Sequence, residues 1–374
     1  MSWGLFKSKY FYLSLLGVII FLGIFLFYYK FVGEEDWLYL PSLQPGLEAD
    51  VSLPPSANLP ERKPLTLLFG GDIMLSRTVN AKMVAYNDYQ WPFTNIATTT
   101  ATADIAVFNL ESPFLKDANY SVPTGSFSFK ANPLAVTGLT LAGVDVVSLA
   151  NNHILNAGQQ GLKDTLSILQ ENDITAVGAG LNAEEAGRGV LVERDGWRVA
   201  FLAYAYPHDN SVATTQNAGI VSLDKEQLIS DIARWRNQAD LVIVLMHAGT
   251  EYVAQAGEAQ IDFAHAAIDA GADAVIGHHP HWPQNWEIYN NKPIFYSLGN
   301  FVFDQMWSVG TSQGLLARLV FQPDLSGEAE LLPLIIKDYG QVNLWPEEKD
   351  VPSFWDVYDL TPPLDLSWPA PVGN

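Results

Sequence analysis

Five short apolar runs in this chain have the composition of β-strands, and each ends on residues of types that bind metal ions. The endings are Asp72, Glu111, Asn151-Asn152-His153, His247 and His278-His279-Pro280-His281. In an open α/β sheet, ligands bind in the crevice outside the carboxyl ends of the strands. We therefore expect these five endings to converge on one site.

The histidine-rich ending is the most specific of the five signals. Three of the seven histidines of the chain lie within positions 278–281, and histidine is the commonest metal ligand. Taken singly, the other endings have structural explanations: Asp72 as a helix N-cap, Glu111 as a solvated loop residue, and His247 as a hydrogen-bonded core histidine. Taken together, the five endings favour a metal site.

The donor types indicate which kind of metal centre to expect. They are carboxylates, amides and imidazoles without sulfur, because the chain has no cysteine. Such donors suit Mn, Fe or Zn better than Ca or Cu(I). About six donors exceed what one tetrahedral zinc ion takes, and a carboxylate can bridge two metals about 3.5–4 Å apart. The residues predict two divalent transition metals and a hydrolase site.

Strand-like and helical stretches alternate between residue 65 and about residue 340. Gly158–Asn172, Leu223–Gln238 and Gln255–Ala270 have helical patterns, and several late strands follow without long helices between them. This order predicts an α/β layered domain with a mixed sheet.

The N-terminal segment predicts a membrane anchor. Tyr10–Tyr29 carries no charge, and roughly 20 apolar residues cross a bilayer core. Lys7 and Lys9 precede this span, so residues 1–9 are expected in the cytoplasm and everything after the span outside. A cleavable signal peptide is the alternative, although the apolar core is long and no A-x-A-like site follows. We predict a single-pass signal anchor in the cell membrane with an extracytoplasmic C-terminal domain.

Proline-rich segments flank the predicted domain at 65–340. Residues 30–64 predict an extended spacer, and the acidic segment 341–374 either wraps the domain or stays loose. The net charge of -21 disfavours nucleic acid as a partner, because binding to phosphates needs clustered Lys and Arg.

Six motifs carry a resemblance to a known family. They are GDIMLSR at 71–77, FNLESP at 108–113, SLANNH at 148–153, MHAGTEY at 246–252, IGHHPHW at 276–282 and YSLGNFVFDQ at 296–305. With these motifs the chain resembles the CapA family of capsule-synthesis, or poly-γ-glutamate biosynthesis, proteins. That family is placed in the calcineurin-like metallophosphatase superfamily, and the resemblance covers about Leu65–Gln322.

The resemblance implies a four-layer α/β/β/α sandwich with two metals at the strand ends. The matching ligands are Asp72 on one metal, Glu111 between the two, Asn152 and His247 on the second, and His279 and His281 with one on each. His153 matches a histidine that binds no metal and instead contacts the scissile group or protonates a leaving group. Expected at the rim of the site are Asn151, His278, Asn300 and Asp304.

Three positions depart from the pattern. Many relatives have Asp where this chain has Asn156, and the family's usual Trp after His247 is Ala248. Met74 replaces the histidine of the superfamily's Asp-x-His, as it generally does in this family. With one nitrogen ligand fewer, one metal is expected to be held loosely.

The resemblance implies a membrane-anchored protein acting in the synthesis or export of a surface polymer of the poly-γ-glutamate type. As an enzyme it would hydrolyse a phosphoester or an amide, with the metals and His153 stabilising developing charge. The alternative is a non-catalytic, metal-stabilised scaffold among the other subunits of a polymer synthase. A third class, a solute-binding or adhesion module, is supported only by Trp282, Trp286 and Trp307.

Overall fold

The computed structural model describes the domain and not the predicted anchor. The described residues are 62–116, 119–120, 123, 125–208, 211–346, 354–360 and 366–371. The predicted tail at 1–9, the span at 10–29 and nearly all of the spacer at 30–64 lie outside them. Among the described residues, no helix is both long enough and apolar enough to cross a membrane. The localisation therefore stays a prediction.

A large mixed sheet forms one half of the framework. Its strands are β1 (Leu65–Ile73), β2 (Ile105–Leu110), β3 (Val144–Ser148), β4 (Thr175–Val177), β13 (Asn300–Val302), β14 (Gln313–Phe321), β15 (Gly327–Lys337), β16 (Gln341–Leu344) and β17 (Ser367–Trp368). They run in the order β16-β15-β14-β1-β2-β3-β4, with β13 beside β1 and β17 beside β15. Strands β1 to β4 are parallel, whereas β14 is antiparallel to β1.

A second mixed sheet forms the other half. Its strands are β6 (Val190–Arg194), β7 (Trp197–Ala205), β9 (Leu241–His247), β10 (Ala274–His278), β11 (Trp286–Tyr289) and β12 (Lys292–Phe295), and β5 (Ala179–Gly180) and β8 (Gly219–Ile220) pair separately. The order is β11-β12-β10-β9-β7-β6, and β7, β9, β10 and β12 are parallel. The mixed α/β architecture predicted from the sequence is confirmed.

Helices fill the connections between these strands. They are α1 (Arg77–Tyr86), α2 (Ala97–Thr100), α3 (Val136–Leu141), α4 (Gly158–Glu171), α5 (Ala183–Ala186), α6 (Lys225–Arg236), α7 (Glu258–Asp269) and α8 (Phe354–Tyr358), with 3-10 turns at Trp91–Phe93, Pro133–Ala135 and Gly310–Ser312. Helix α6 begins where Asp224 accepts the backbone N–H of Gln227 at 2.8 Å, which satisfies one free donor of its first turn.

Strand β9 is buried on both faces, which explains its nearly unbroken apolar sequence. Leu241, Ile243 and Leu245 belong to a core that also contains inward residues of β1. The alternate residues Val242, Val244 and Met246 belong to a second core with residues of α6 and α7. The two sheets therefore share one core, and helices cover the other face of the second sheet.

Backbone pairing aligns the strand ends that the sequence singled out. Asp72 of β1 pairs with Asn109 of β2 and with Asn300 of β13, and His247 of β9 pairs with His278 of β10. Because neighbouring parallel strands run in the same direction, residues that pair at the end of one strand lie beside the end of the next.

A close backbone approach at Gly71 fixes the end of β1. A Cβ atom at Gly71 would lie 1.9 Å from the carbonyl oxygen of Gly299, so a larger residue would force the two segments apart. The backbone N–H of Asp72 donates to the same carbonyl at 3.0 Å. Glycine at position 71 thus lets the Asp72 carboxylate meet the segment that begins at Asn300.

Two expectations from the sequence need correction. The N-cap explanation for Asp72 is wrong, because Asp72 lies inside β1 and the N-cap position of α1 is Ser76. The first sheet also continues past the predicted domain end at residue 340, since β16 pairs with β15. Farther along, Trp368 is 2% exposed and packs its ring 5.2 Å from that of Phe321. The described part of segment 341–374 therefore wraps the domain.

Candidate metal centre

Two groups of potential metal ligands lie at the aligned strand ends, and Glu111 belongs to both. One group is Asp72, Glu111 and His281, and the other is Glu111, His247 and His279. Within each group the ligand atoms lie within 4.8 Å of one another. A carboxylate common to two groups is the arrangement that a dinuclear centre requires.

The sixth predicted ligand, Asn152, adjoins the second group. Its side-chain oxygen lies 3.0 Å from Nε2 of His247. The structure thus brings all six predicted ligands together. Asn152 lies with His247, as the resemblance implies, and the structure groups His281 with Asp72 and His279 with His247, an assignment that the sequence had left open. Their roles as ligands stay a prediction.

The Glu111 carboxylate lies at the centre of the site. It is fully buried, and neither of its oxygens has a hydrogen-bond partner among the described residues. Its Oε1 lies 3.8 Å from Nε2 of both His153 and His247, and 3.9 Å from Nε2 of His281. An ionised carboxylate buried without hydrogen bonds or a counter-charge is costly. Bound cations would provide that counter-charge.

Burial and charge set the protonation of the site. Burial, with the negative charges of Asp72 and Glu251, raises the pKa of Glu111 well above its ordinary value. Burial alone would raise the pKa of Asp72 too, but the hydrogen bond with His281 holds it below its usual range. Burial lowers the pKa of His279 to about 4. That imidazole is neutral near pH 7, which leaves a nitrogen lone pair for a metal.

The local structure fits the binding of divalent cations. Besides the Glu111 oxygens, Nδ1 of the mostly buried His279 lacks a hydrogen-bond partner among the described residues, although buried polar atoms are normally paired. His279 and His281 also have left-handed backbones, with φ of 98° and 57°. Such conformations cost about 1–3 kcal/mol each and cluster at functional sites.

Asn300, predicted at the rim, orients the predicted ligand His281. Its Nδ2 donates to the side chain of Gln305 at 3.2 Å and to the carbonyl of Thr311 at 2.8 Å, so its Oδ1 faces Nδ1 of His281 at 2.9 Å. Nδ1 of His281 must then carry a proton and donate it. The lone pair of Nε2 is left for a metal, as is usual when a ligand histidine bonds to an outer partner.

Asn156 orients His153 in the same way. The Asn156 side-chain oxygen accepts the backbone N–H of Phe129 at 2.8 Å and lies 3.0 Å from Nδ1 of His153. Nδ1 of His153 therefore donates, and the bare Nε2 faces Glu111. Burial lowers the pKa of His153 to about 4. Near neutral pH the ring presents a hydrogen-bond acceptor, and it can protonate a leaving group only after taking up a proton.

Arg77 was missed by sequence reasoning although it lies in the GDIMLSR motif. Its buried guanidinium pairs with the carboxylate of Asp304, a predicted rim residue, and donates to the carbonyl of Ser126 at 3.0 Å. The same group lies over the rings of Phe129 and Phe303, at 4.9 and 5.5 Å. Those rings in turn contact the imidazoles of the site, so Arg77 supports one wall of it.

Asn109 was missed as well. Its Nδ2 donates to Asp72 at 2.7 Å and lies 3.2 Å from Nδ1 of His247, while its oxygen accepts from Asn151 at 3.1 Å. The available signal was a single amide within the otherwise apolar strand β2, all of which is buried. Asn109 thus links the two sheets beneath the predicted metals.

All four predicted rim residues are buried, Asn300 and Asp304 as well as Asn151 and His278. Asn151 is 1% exposed and donates to the carbonyl of Leu110 at 2.9 Å. His278 is also 1% exposed, and its Nε2 donates to the carbonyl of Gly70 at 3.1 Å. His278 belongs to neither ligand group.

Comparison with known proteins identifies the family. The model of a family described as bacterial capsule synthesis protein PGA_cap matches residues 66–305. This chain belongs to that family. It is 33% identical over 285 residues to the capsule biosynthesis protein CapA of Bacillus anthracis, covering 74% of this chain and 69% of that protein. It is 31% identical over 313 residues to the PGA biosynthesis protein CapA of Bacillus subtilis, covering 83% of this chain and 81% of that protein.

Other matches are a further sequence relative and more distant structures. A Mycobacterium tuberculosis protein named as a probable polyglutamine synthesis accessory protein is 32% identical over 289 residues, covering 73% of each chain. The NAD nucleotidase of Haemophilus influenzae has a TM-score of 0.42 and 13% identity, over 76% of this chain and 54% of that one. The 5'-nucleotidase of Candida albicans has a TM-score of 0.44 and 10% identity, over 79% of this chain and 54% of that one. TM-scores this low assign no function.

Proposed function

We propose that this PGA_cap protein is a dinuclear-metal hydrolase that cleaves a phosphoester during the synthesis or export of a capsule-type polymer. The observation that carries the proposal is Glu111, a buried carboxylate without hydrogen bonds that is common to two groups of metal ligands. The proposed fold is the four-layer α/β/β/α sandwich of metallophosphatases. Two sheets that share one core support it.

Each residue of the site has a distinct part in this chemistry. Asp72 and His281 would hold one cation, Asn152, His247 and His279 the other, and Glu111 both. Bound metals of this kind polarise the phosphoryl oxygens and make water nucleophilic at neutral pH. His153 accepts a proton or hydrogen bond at Nε2, and Asn156 keeps that nitrogen directed at the site. Burial of Asp72 and Glu111 keeps bulk water from screening these charges.

Hydrolysis of a generic phosphodiester tests the proposal. The purified domain from residue 60 onward, loaded with Mn, Fe or Zn, is expected to release p-nitrophenol from bis(p-nitrophenyl) phosphate. A chelator should abolish the release, and the same metal should restore it, because the charge at the site comes from the cations. If the metal-loaded domain cleaves neither this diester nor the corresponding monoester, the result would contradict the proposed hydrolase activity and favour the scaffold.

The proposed location is the outer face of the cell membrane, and a reporter fusion tests it. Lys7 and Lys9 ahead of the uncharged Tyr10–Tyr29 support this orientation. Alkaline phosphatase fused after Asn374 is expected to be active, whereas β-galactosidase at the same position is expected to be inactive. The opposite pattern would refute the orientation, and a mature N-terminus beyond residue 29 would refute the anchor.

The proposed partners are other subunits of a polymer synthase. Support comes from the relatives, which are named for capsule or PGA biosynthesis and for an accessory part in polyglutamine synthesis. The acidic net charge of -21 supports a partner other than nucleic acid.

A further inference from the structure

Trp307 lies next to the metal centre with most of its ring exposed. The other two tryptophans singled out in the sequence, Trp282 and Trp286, pack against aromatic residues of the C-terminal segment. Trp307 is 61% exposed, and its ring meets that of Tyr252 edge to face at a centroid distance of 4.7 Å. Single exposed hydrophobic residues are common, so the attachment of Trp307 to the site decides its significance.

The loop that carries Trp307 is tied to a predicted metal ligand. Asn300 donates to Gln305 and to the carbonyl of Thr311, one on each side of Trp307, and its oxygen bonds to His281. The loop also closes on itself, because the Thr311 hydroxyl donates to the carbonyl of Gln305. The loop that carries Trp307 is therefore held in place relative to His281.

Tyr252 forms the second attachment. Its backbone N–H donates to the carbonyl of Pro280 at 2.8 Å, and its ring stacks on His281 at a centroid distance of 6.1 Å. Its backbone has a φ of 63°, in the left-handed region. The hydroxyl accepts from Gln305 at 3.4 Å. Tyr252 thus joins the Trp307 loop to the loop of the predicted ligands.

Glu251 adds a hydrogen-bond acceptor beside this aromatic pair. It is half-buried and directly precedes Tyr252 in the chain. Its negative charge is among the causes that raise the pKa of Glu111. A carboxylate in this position repels a second anionic group and accepts hydroxyl donors.

We propose that Trp307 and Glu251 form a subsite for a hydroxylated ring, such as a sugar, that is joined to the phosphate bound at the metals. The indole would stack on the ring while Glu251 accepts one of its hydroxyl groups. Quaternary ammonium groups are typically held in a cage of several aromatic faces, whereas of this aromatic pair Tyr252 stacks on His281 and the indole alone is largely exposed. This inference deepens the proposed function and rests on it.

Calorimetric binding separates the subsite from the metal centre. The probes are glucose 1-phosphate, orthophosphate and phosphocholine, added to the metal-loaded full chain in a His153→Ala background that slows turnover. Glucose 1-phosphate is expected to bind at least about tenfold more tightly than orthophosphate. Trp307→Ala should lower the affinity for glucose 1-phosphate by roughly tenfold to a hundredfold, as stacking energies imply. It should leave the affinity for orthophosphate unchanged.

Matched variants sharpen the comparison. Trp307→Phe keeps a stacking face and should retain most of the affinity for glucose 1-phosphate. Glu251→Gln should lower the affinity for glucose 1-phosphate by roughly tenfold, since hydrogen bonds to charged groups are the stronger ones. It should not lower the affinity for orthophosphate. Tyr339→Ala removes another exposed aromatic ring, which contacts Lys82, and should change neither.

Three results would overturn the subsite. Equal affinity for glucose 1-phosphate and orthophosphate, unaffected by Trp307→Ala, would remove the ring-binding role while leaving the metal centre intact. If the protein prefers phosphocholine and this preference depends on Trp307, the subsite binds a cation and not a hydroxylated ring. Metal-loaded protein that binds none of the probes would overturn the proposed phosphoester chemistry as well, which is a distinct outcome.

Discussion

Glu111→Gln is expected to lose bound metal and hydrolytic activity together. The substitution keeps the shape of the side chain but removes the charge that both predicted cations share, and no neighbouring carboxylate occupies the same position. Loss of an outer-shell partner of a metal ligand costs about 10–100-fold, so loss of the shared ligand should exceed 100-fold in activity. Elemental analysis and phosphodiesterase rates on the same preparation measure both quantities.

The metal-free Glu111→Gln protein should unfold at a temperature equal to or above that of the metal-free native protein. In the native protein, the buried Glu111 carboxylate has no hydrogen-bond partner among the described residues. It therefore destabilises the native fold when no cation is bound. Glu328→Gln, the same change at an exposed position on β15, is the matched control and should leave metal content and activity unchanged. If Glu111→Gln retains full metal content, Glu111 is not the shared ligand. If it leaves polymer production in the source cell intact, the scaffold is the better account.

His153→Ala is expected to keep its metals and lose turnover. His153 belongs to neither ligand group, yet its Nε2 faces the same Glu111 oxygen as the nitrogens of His247 and His281. A positioned acid or base contributes about 10²–10⁴-fold, so turnover should fall by that factor with little change in metal content. Steady-state rates and metal analysis on one preparation give both values.

The control for His153 is His265→Ala. His265 pairs with Glu287 at 2.8 Å and stacks on Tyr289. It belongs to neither ligand group, so its loss should change neither turnover nor metal content. Loss of metal from His153→Ala, to the same extent as from Glu111→Gln, would make His153 a ligand and refute its assigned role.

The strands that end at the site could be predicted because their burial leaves an apolar pattern within each strand's own sequence. The apolar run of β9 is buried on both faces, and it ends at His247 as its composition predicts. The late strand β16 was not recognised, because Gln341–Leu344 is short and only Val342 is fully buried. Its pairing with β15 depends on the fold and leaves little local pattern.

The partners of the candidate ligands could not be predicted, because they come from distant parts of the chain. Arg77 meets Asp304 across 227 positions, and Asn156 meets Phe129 across 27. Neither contact leaves a periodic trace in the sequence. The individual roles of the ligands came from the motif resemblance, whereas the proton positions on His153 and His281 follow only from the side chains around them.

The most direct measurement is the metal content of the purified domain. Elemental analysis after mild purification is expected to find about two transition-metal ions per chain. Chelation should remove them and lower the unfolding temperature, because ligands that bind only the folded state stabilise it. A domain that contains no transition metal, and whose unfolding temperature is the same with and without a chelator, would contradict the dinuclear centre on which the proposed function depends.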